Sequence, residues 1–379
     1  MVFGTTRIYL DWAAAAPVSP RALLAFSRAI ALAGNPSSPH AEGRAARDVL
    51  EDARVRIARL AGTKPDAVIF TSGATEANAL GITGHLRALI EEGGDPAQLH
   101  VLYLPSAHAS VIGAMRALER IGVATEAITK LEAQLRPETV LVVVDLVCGE
   151  TGQIYKVRDI RRALDRTGRK IALFADASQA PRVESFELQR LGADMVSLDA
   201  QKVGGVRGIG ALIAPRNIPL RPLSLGGGQE RGLRPGTESP ALAAAFATAL
   251  EECARDRSAF TAAARDRRIK LTEALRAIPR MEINEGKLQA PHILNLSLIG
   301  RDTDYLLALL DEAGFAISTK SACETDEAGS RAVLAMTDDA ARASSTLRIS
   351  WGPATKPRDL DRFADALIST VRFADQNAI

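Results

Sequence analysis

Runs of continuous apolar residues alternate along this chain with longer stretches whose apolar positions recur every three or four residues. The runs at 68–71, 101–104, 140–145, 171–176, 194–198 and 209–213 predict buried strands. The stretches at 21–32, 41–61, 75–92, 111–121 and 158–167 predict the helices between them. In 41–61, for example, Ala46, Leu50, Ala53, Ile57 and Leu60 share one face and the charges take the other. A short strand at 8–11 precedes the series and a long helix at 241–278 follows it. Strands at 292–298, 316–318 and 347–350, with helices at 303–313 and 356–373, complete the pattern. The alternation predicts an α/β fold: a large domain, 12–255, whose mainly parallel sheet is covered by helices on both faces. Residues 1–11 and 256–379 are expected to form a smaller α+β domain.

In such sheets the functional residues gather beyond the carboxyl ends of the strands. Thr75, His108, Asp176, Gln179 and Lys202 all fall just past predicted strand ends. Lys202 lies in the stretch 197–210, which holds that one lysine and four glycines. A lysine held there by a loop that a ligand can approach closely suits a Schiff base with an aldehyde cofactor. A solvated lysine in a glycine-rich hairpin is the competing reading. Ser72, Gly73, Ala74 and Thr75 join a strand to a helix start, a seat for an anion. The turn has no P-loop lysine, so a nucleoside triphosphate is not implied.

Pyridoxal phosphate needs such a lysine, a carboxylate at its pyridine nitrogen, a flat group on the ring and donors around the phosphate. Asp176 is the candidate carboxylate, Gln179 a donor to the ring oxygen, His108 the stacking group and proton relay, and Thr75 a phosphate ligand. Arg348, on an apolar strand, is a candidate two-point clamp for a substrate carboxylate. Each has an ordinary alternative: a turn aspartate, a surface glutamine, a loop histidine, a helix N-cap and a structural ion pair. Cys323 sits among small and polar residues near Lys320, a setting that suits a reactive thiolate and an incidental surface thiol alike, whereas Cys148 and Cys253 read as packing residues. The glycine-rich loop 225–237 is expected to lie against a ligand or a second subunit.

Composition narrows the class. Lysine and arginine number 47 against 45 acidic residues, so charge makes no case for nucleic acid or a membrane surface. Three widely spaced cysteines fit neither a disulfide framework nor a zinc site, so no metal is expected. No apolar run reaches spanning length and residues 1–8 lack a signal-peptide core, which predicts a cytoplasmic protein.

Taken together these stretches resemble the cysteine desulfurases of the class V aminotransferase group, pyridoxal-phosphate enzymes of fold type I. The resemblance rests on Tyr9 to Asp11, Gly34 to Ser38 with His40, Gly43 and Arg44, and Phe70 to Glu76 with Asn78. It continues through His108, Glu150 to Gly152, Asp176 to Gln179, Lys202 with Gly208 and Gly210, and Gly226 to Thr237. It ends with Ser321 to Cys323 and Leu347 to Ser350 with Gly352. It implies that Lys202 carries the cofactor and moves a proton, that Asp176 and Gln179 hold the ring, and that His108 stacks on it. Ala74, Thr75, Gln201 and, across a homodimer interface, Thr237 are implied as phosphate ligands, with Asn35 and Arg348 receiving the substrate carboxylate. Cys323 would take the sulfur of L-cysteine as a persulfide, release L-alanine and pass the sulfur to an acceptor protein for iron–sulfur clusters or tRNA thiolation. A selenocysteine lyase or other class V lyase is the alternative within the family. A cofactor-impaired member kept as a binding or scaffold protein is the alternative outside catalysis.

The chain departs from the family pattern at several points. Gly149 stands where an asparagine is usual, Ala107 where glutamate precedes the histidine, and Asp199, Ala200 and Gln201 where a Ser-x-His run is usual. Trp12, Ala15 and Ala16 replace the usual asparagine and threonines. Gly149 costs one neutral hydrogen bond, about 0.5–1.5 kcal/mol. Asp199 matters more: a carboxylate about 4 Å from a phosphate charge is opposed by about 4 kcal/mol at an effective dielectric near 20. Either Asp199 turns away, to an arginine such as Arg207, or the seat is rebuilt.

Overall fold

The structure, a computed structural model, describes residues 7–319 and 329–377. The chain divides into two compact units. The smaller combines Met1–Ala16, Cys148–Ile154 and Ser258–Ile379; the larger combines Pro17–Val147 and Tyr155–Arg257. In chain order the strands are β1 (Ile8–Tyr9), β2 (Val68–Thr71), β3 (His100–Tyr103), β4 (Ala124–Ala127), β5 (Thr139–Asp145) and β6 (Ala172–Asp176). They continue with β7 (Met195–Asp199), β8 (Gly210–Ile213), β9 (Met281–Ile283), β10 (Ile293–Leu298), β11 (Phe315–Ala316) and β12 (Thr346–Ser350). The first four α-helices are α1 (Pro20–Ile30), α2 (Ala41–Leu60), α3 (Ala74–Glu91) and α4 (Ala109–Glu119).

The larger unit is built on a seven-stranded sheet in the order β2-β8-β7-β6-β5-β3-β4. The pairings from β7 through β6, β5 and β3 to β4 are parallel, as the continuous apolar runs predict. Only β8 runs against its neighbours β2 and β7. Because β2 and β7 both oppose β8, their carboxyl ends face the same edge of the sheet as those of β6, β5 and β3. The β5 core is fully apolar: Leu141, Val142, Val143 and Val144 are all fully buried. On α2, Ala46, Leu50, Ala53 and Ile57 are buried and Leu60 is half-buried, so the amphipathic stripe faces inward.

The smaller unit holds the antiparallel sheet β12-β10-β9 and the parallel pair β1-β11. Its core gathers Leu294, Leu296, Leu347, Ile349, Trp351 and Phe363. The segment 148–154 joins it through hydrogen bonds from Ile154 N to Leu288 O, Asn295 Nδ2 to Glu150 O and Gln289 Nε2 to Thr151 O. Two strands carried no continuous apolar run. β4 is Ala-Thr-Glu-Ala and β9 is Met-Glu-Ile, and both are sheet edges, where one side of the strand meets solvent. The short helices Arg331–Thr337 and Ala340–Ser344 were likewise not predicted; each is about two turns or fewer, too short to show a helical repeat of apolar positions.

Candidate active site

Asp176 ends β6 and three donors converge on its carboxylate. Oδ1 accepts the Ser178 backbone N–H at 2.9 Å and the Ser178 hydroxyl at 2.6 Å, and Oδ2 accepts Asn78 Nδ2 at 2.7 Å. Asn78, fully buried on α3, gives the second hydrogen of the same amide to Ser110 Oγ at 2.9 Å. Ser110 in turn meets His108, the N-cap of α4: its backbone N–H donates to His108 Nδ1 at 3.2 Å, and its Oγ lies 2.8 Å from the same atom. A nitrogen that accepts a backbone N–H does not carry the proton, so the His108 ring proton sits on Nε2. The Ser110 hydroxyl, already accepting from Asn78, therefore donates to Nδ1. One hydrogen-bonded run thus joins Asp176, Asn78, Ser110 and His108 across β6, α3 and α4.

A second carboxyl stands beside this run. Asp145 ends β5 and is the register partner of Asp176 on the adjoining parallel strand. Burial, and then the nearby Asp176 charge, push the Asp145 carboxyl well above its ordinary range, toward the neutral form.

Lys202 lies half-buried on the one-turn helix Ala200–Val203, directly after β7. Asp199 caps that turn: Oδ1 accepts Gln201 N at 3.0 Å. Its other oxygen, Oδ2, accepts Ala74 N at 3.1 Å, the first residue of α3. The Gln201 amide approaches the same oxygen at 3.5 Å. The structure places the Asp199 carboxylate between two backbone N–H groups, Ala74 at the start of α3 and Gln201 in its own turn, not on Arg207. Sequence explains how the two meet. Gly73, the N-cap of α3, has no side chain to cap with. Gly210, paired with both Thr71 and Asp199, leaves room for the turn, since a Cβ there would come within 2.6 Å of the Gly73 backbone. Ser72 N is also taken, by Glu76 Oε2 at 2.5 Å, and Glu76 pairs with Arg234. Burial raises the Glu76 carboxyl, but the Ser72 donor and Arg234 outweigh it and hold the group below its ordinary value. Thr75 is exposed at the second helical position, two residues past the N-cap.

Asn35 and Thr237, both exposed, approach each other at 3.5 Å between Nδ2 and Oγ1. The glycine-rich loop carrying Thr237 is pinned by Glu230. Its carboxylate accepts Arg54 Nη1 and Nη2 at 2.7 Å each and Phe70 N at 2.8 Å, all in the interior. Gln179 is half-buried on the otherwise buried loop that follows Asp176. Cys253 packs with its Sγ 3.5 Å from Val203 O, and burial pushes its thiol up, which makes it inert.

In the smaller unit Arg348 is buried on β12. Nη2 donates to Asp11 Oδ1 at 2.8 Å and Nη1 to Gly149 O at 3.1 Å, while Nε has no partner among the described residues. Gly149, the position that lacks the family asparagine, thus contributes a backbone carbonyl. Ser318 N donates to Arg348 O at 3.2 Å, so the chain leading toward Cys323 starts beside this arginine. Cys323 and Lys320 themselves lie outside the described residues.

Asn78 was visible only as a matched motif residue, and Ser110 and Asp145 were not singled out at all. Asn78 lies four residues after Ala74, so it shares a face with the turn that starts α3. Ser110 stands two residues beyond His108, a spacing at which a hydroxyl reaches back to its neighbour. An acid closing the most apolar strand is the signal for Asp145.

Residues 8–363 match the family described as Aminotransferase class-V, whose members typically use pyridoxal phosphate. Among curated proteins, the chain is 34% identical to a cysteine desulfurase of a Frankia species, over 96% of this chain and 91% of that one. Among solved structures, a NifS-like protein superposes with a TM-score of 0.90 at 26% identity, covering 97% of this chain and all (100%) of the other. A structure titled SspA in complex with cysteine gives 0.79 at 28% identity, covering 93% and 100%. Among the described residues no helix is long and apolar enough to cross a membrane.

Proposed function

The chain belongs to the class V aminotransferase family, and from that premise we propose that it is a pyridoxal-phosphate cysteine desulfurase. The observation that carries the reading is the run from Asp176 through Asn78 and Ser110 to His108, one strand away from Lys202. At the ring end the residues fit the cofactor: a buried acid held by three donors for the pyridine nitrogen, a histidine of defined tautomer, and a lysine on the next strand end. At the phosphate end the fit is poorer, because Asp199 already accepts the Ala74 N–H.

When bound, the cofactor supplies an electron sink for the pair left on substrate carbon. The chain's own residues do the rest. Lys202 carries the cofactor and moves protons to and from the substrate, Asp176 and Gln179 hold the ring, and His108 covers it. Thr75, Gln201 and Thr237 are the phosphate ligands, Thr237 being supplied across a homodimer, and Ala74 joins them only where Asp199 releases its N–H. Asn35 and Arg348 receive the substrate carboxylate, Arg348 from the fork it now shares between Asp11 and Gly149. The Cys323 thiolate attacks the sulfur of L-cysteine; the S–S bond forms as the carbon–sulfur bond breaks, and the carbon gains a proton to leave as L-alanine. The persulfide sulfur then passes to an acceptor protein. A relative named as a cysteine desulfurase and a neighbour whose structure is titled as a complex with cysteine support this substrate.

The test is the visible spectrum of the purified protein with and without L-cysteine, alongside sulfide release. Colour that disappears in Lys202→Ala, and sulfide release that Cys323→Ser lowers at least about 10³-fold while colour stays, are expected. Full sulfide release by Cys323→Ser would remove the persulfide role. Protein that stays colourless with excess pyridoxal phosphate would leave only a scaffold reading.

A further inference from the structure

Resting on that reading and deepening it, we propose that Asp199 is a resident anion at the cofactor's phosphate seat, so that this chain holds pyridoxal phosphate scarcely better than unphosphorylated pyridoxal. A strand, a small-residue turn and a helix start hold an anion through unspent N–H groups and the positive end of the helix dipole. Here two of those N–H groups are spent within the chain. Ala74 N goes to Asp199 and Ser72 N goes to Glu76. Asp199 is 7% exposed, its main chain is fixed by pairing with Gly210, and its second oxygen is bound by Gln201 N. Its carboxylate therefore does not swing into solvent without leaving two backbone donors unpaired. The net effect is one negative charge, set by the fold, where the phosphate would bring a second and third. Like charges sharing one site oppose each other, and the helix end that would offset a single anion is already offset. Gly73 makes this arrangement possible, since it has no side chain to cap α3 and the acid arrives from β7 instead.

Asp199 makes no hydrogen bond to the ring-end residues Asp176, His108 and Lys202 among the contacts that fix its carboxylate. Asp176, His108 and Lys202 recognise the part of the cofactor that pyridoxal shares with its phosphate. A selectivity measurement therefore isolates Asp199.

The full-length protein, stripped of cofactor, is titrated with pyridoxal 5'-phosphate and with pyridoxal, followed by absorbance. Borohydride trapping and peptide mass confirm attachment at Lys202. The wild type is expected to bind the two within about tenfold of each other. Asp199→Asn, which keeps an acceptor for Gln201 N, and Asp199→Ser, which keeps a capping hydroxyl, are each expected to tighten the phosphorylated form at least tenfold, about 1.4 kcal/mol. Pyridoxal affinity is expected to change less than about threefold, which also shows that the Lys202 turn remains folded. The proposal is overturned if neither variant gains affinity for the phosphorylated form, if both forms move together, or if the wild type already prefers the phosphorylated form by 10³-fold or more. A protein that binds neither form in any variant fails at the earlier step and takes the cofactor reading down with it.

Discussion

Two neighbouring strand ends of the same sheet treat charge in opposite ways. At the end of β6 an acid, Asp176, is met by donors from its own loop and from α3, and the wiring extends to His108. At the end of β7 an acid, Asp199, itself occupies donors that an incoming anion would need. The first arrangement prepares a site for a protonated ring nitrogen. The second works against a phosphate. Both acids end buried, adjacent parallel strands, Asp199 two residues beyond Ser197, the register partner of Asp176, so closing such a strand does not by itself set their roles; what lies across the turn does.

The sharpest way to separate the two ends is to change Asp176. Asp176→Asn keeps the shape and removes the charge, and kcat is expected to fall about 10²–10³-fold, the scale of losing one preorganised electrostatic group. The ratio of affinities for pyridoxal phosphate and pyridoxal should stay put, and a shift in that ratio would merge the two ends into one. A smaller effect is expected from Ser110→Ala, which removes the hydroxyl between Asn78 and His108. Activity should drop about 2–10-fold, matching 0.5–1.5 kcal/mol for one hydrogen bond, and Ser110→Thr should restore it by keeping the hydroxyl. If alanine costs nothing, the run through Ser110 is structural only.

The gentlest probe is Asp145→Asn, read as stability. The folded-state carboxyl of Asp145 is raised by burial and by Asp176, so the native protein binds more protons than the unfolded chain. The wild type therefore has its full stability below the ordinary carboxylate pKa and loses it as pH rises toward the raised value. The asparagine variant lacks that loss. Its melting temperature should match the wild type near pH 4 and exceed it at pH 8 by about 2–4 °C, roughly 1 kcal/mol for a unit of this size. An advantage that does not grow with pH would mean that Asp145 is not the titrating partner of Asp176.

Much of the frame was readable without coordinates. The β5 run announced an interior parallel strand because both its faces are covered, and α2 announced itself through one buried stripe. The edges β4 and β9 were silent because each is only four or three residues long, with polar residues between its apolar ones. At the site, the glycine-flanked lysine and the acid closing β6 were recognisable as residue types in a pattern. Their partners were not. Asn78 reaches Asp176 across 98 residues of sequence, and Asp199 reaches Ala74 across 125.

Sequence by itself determined the alternation of elements, the order of the motifs and the oddity of an acid at position 199, since local patterning and residue chemistry need no partner to be recognised. Only the tertiary structure decided where that acid points, that His108 bears its proton on Nε2, and that Arg348 leans on Asp11 from 337 residues away. A hydrogen bond depends on two atoms meeting within about 3 Å at the right angle. That meeting is set by how the sheet brings distant strand ends and helix starts to one edge.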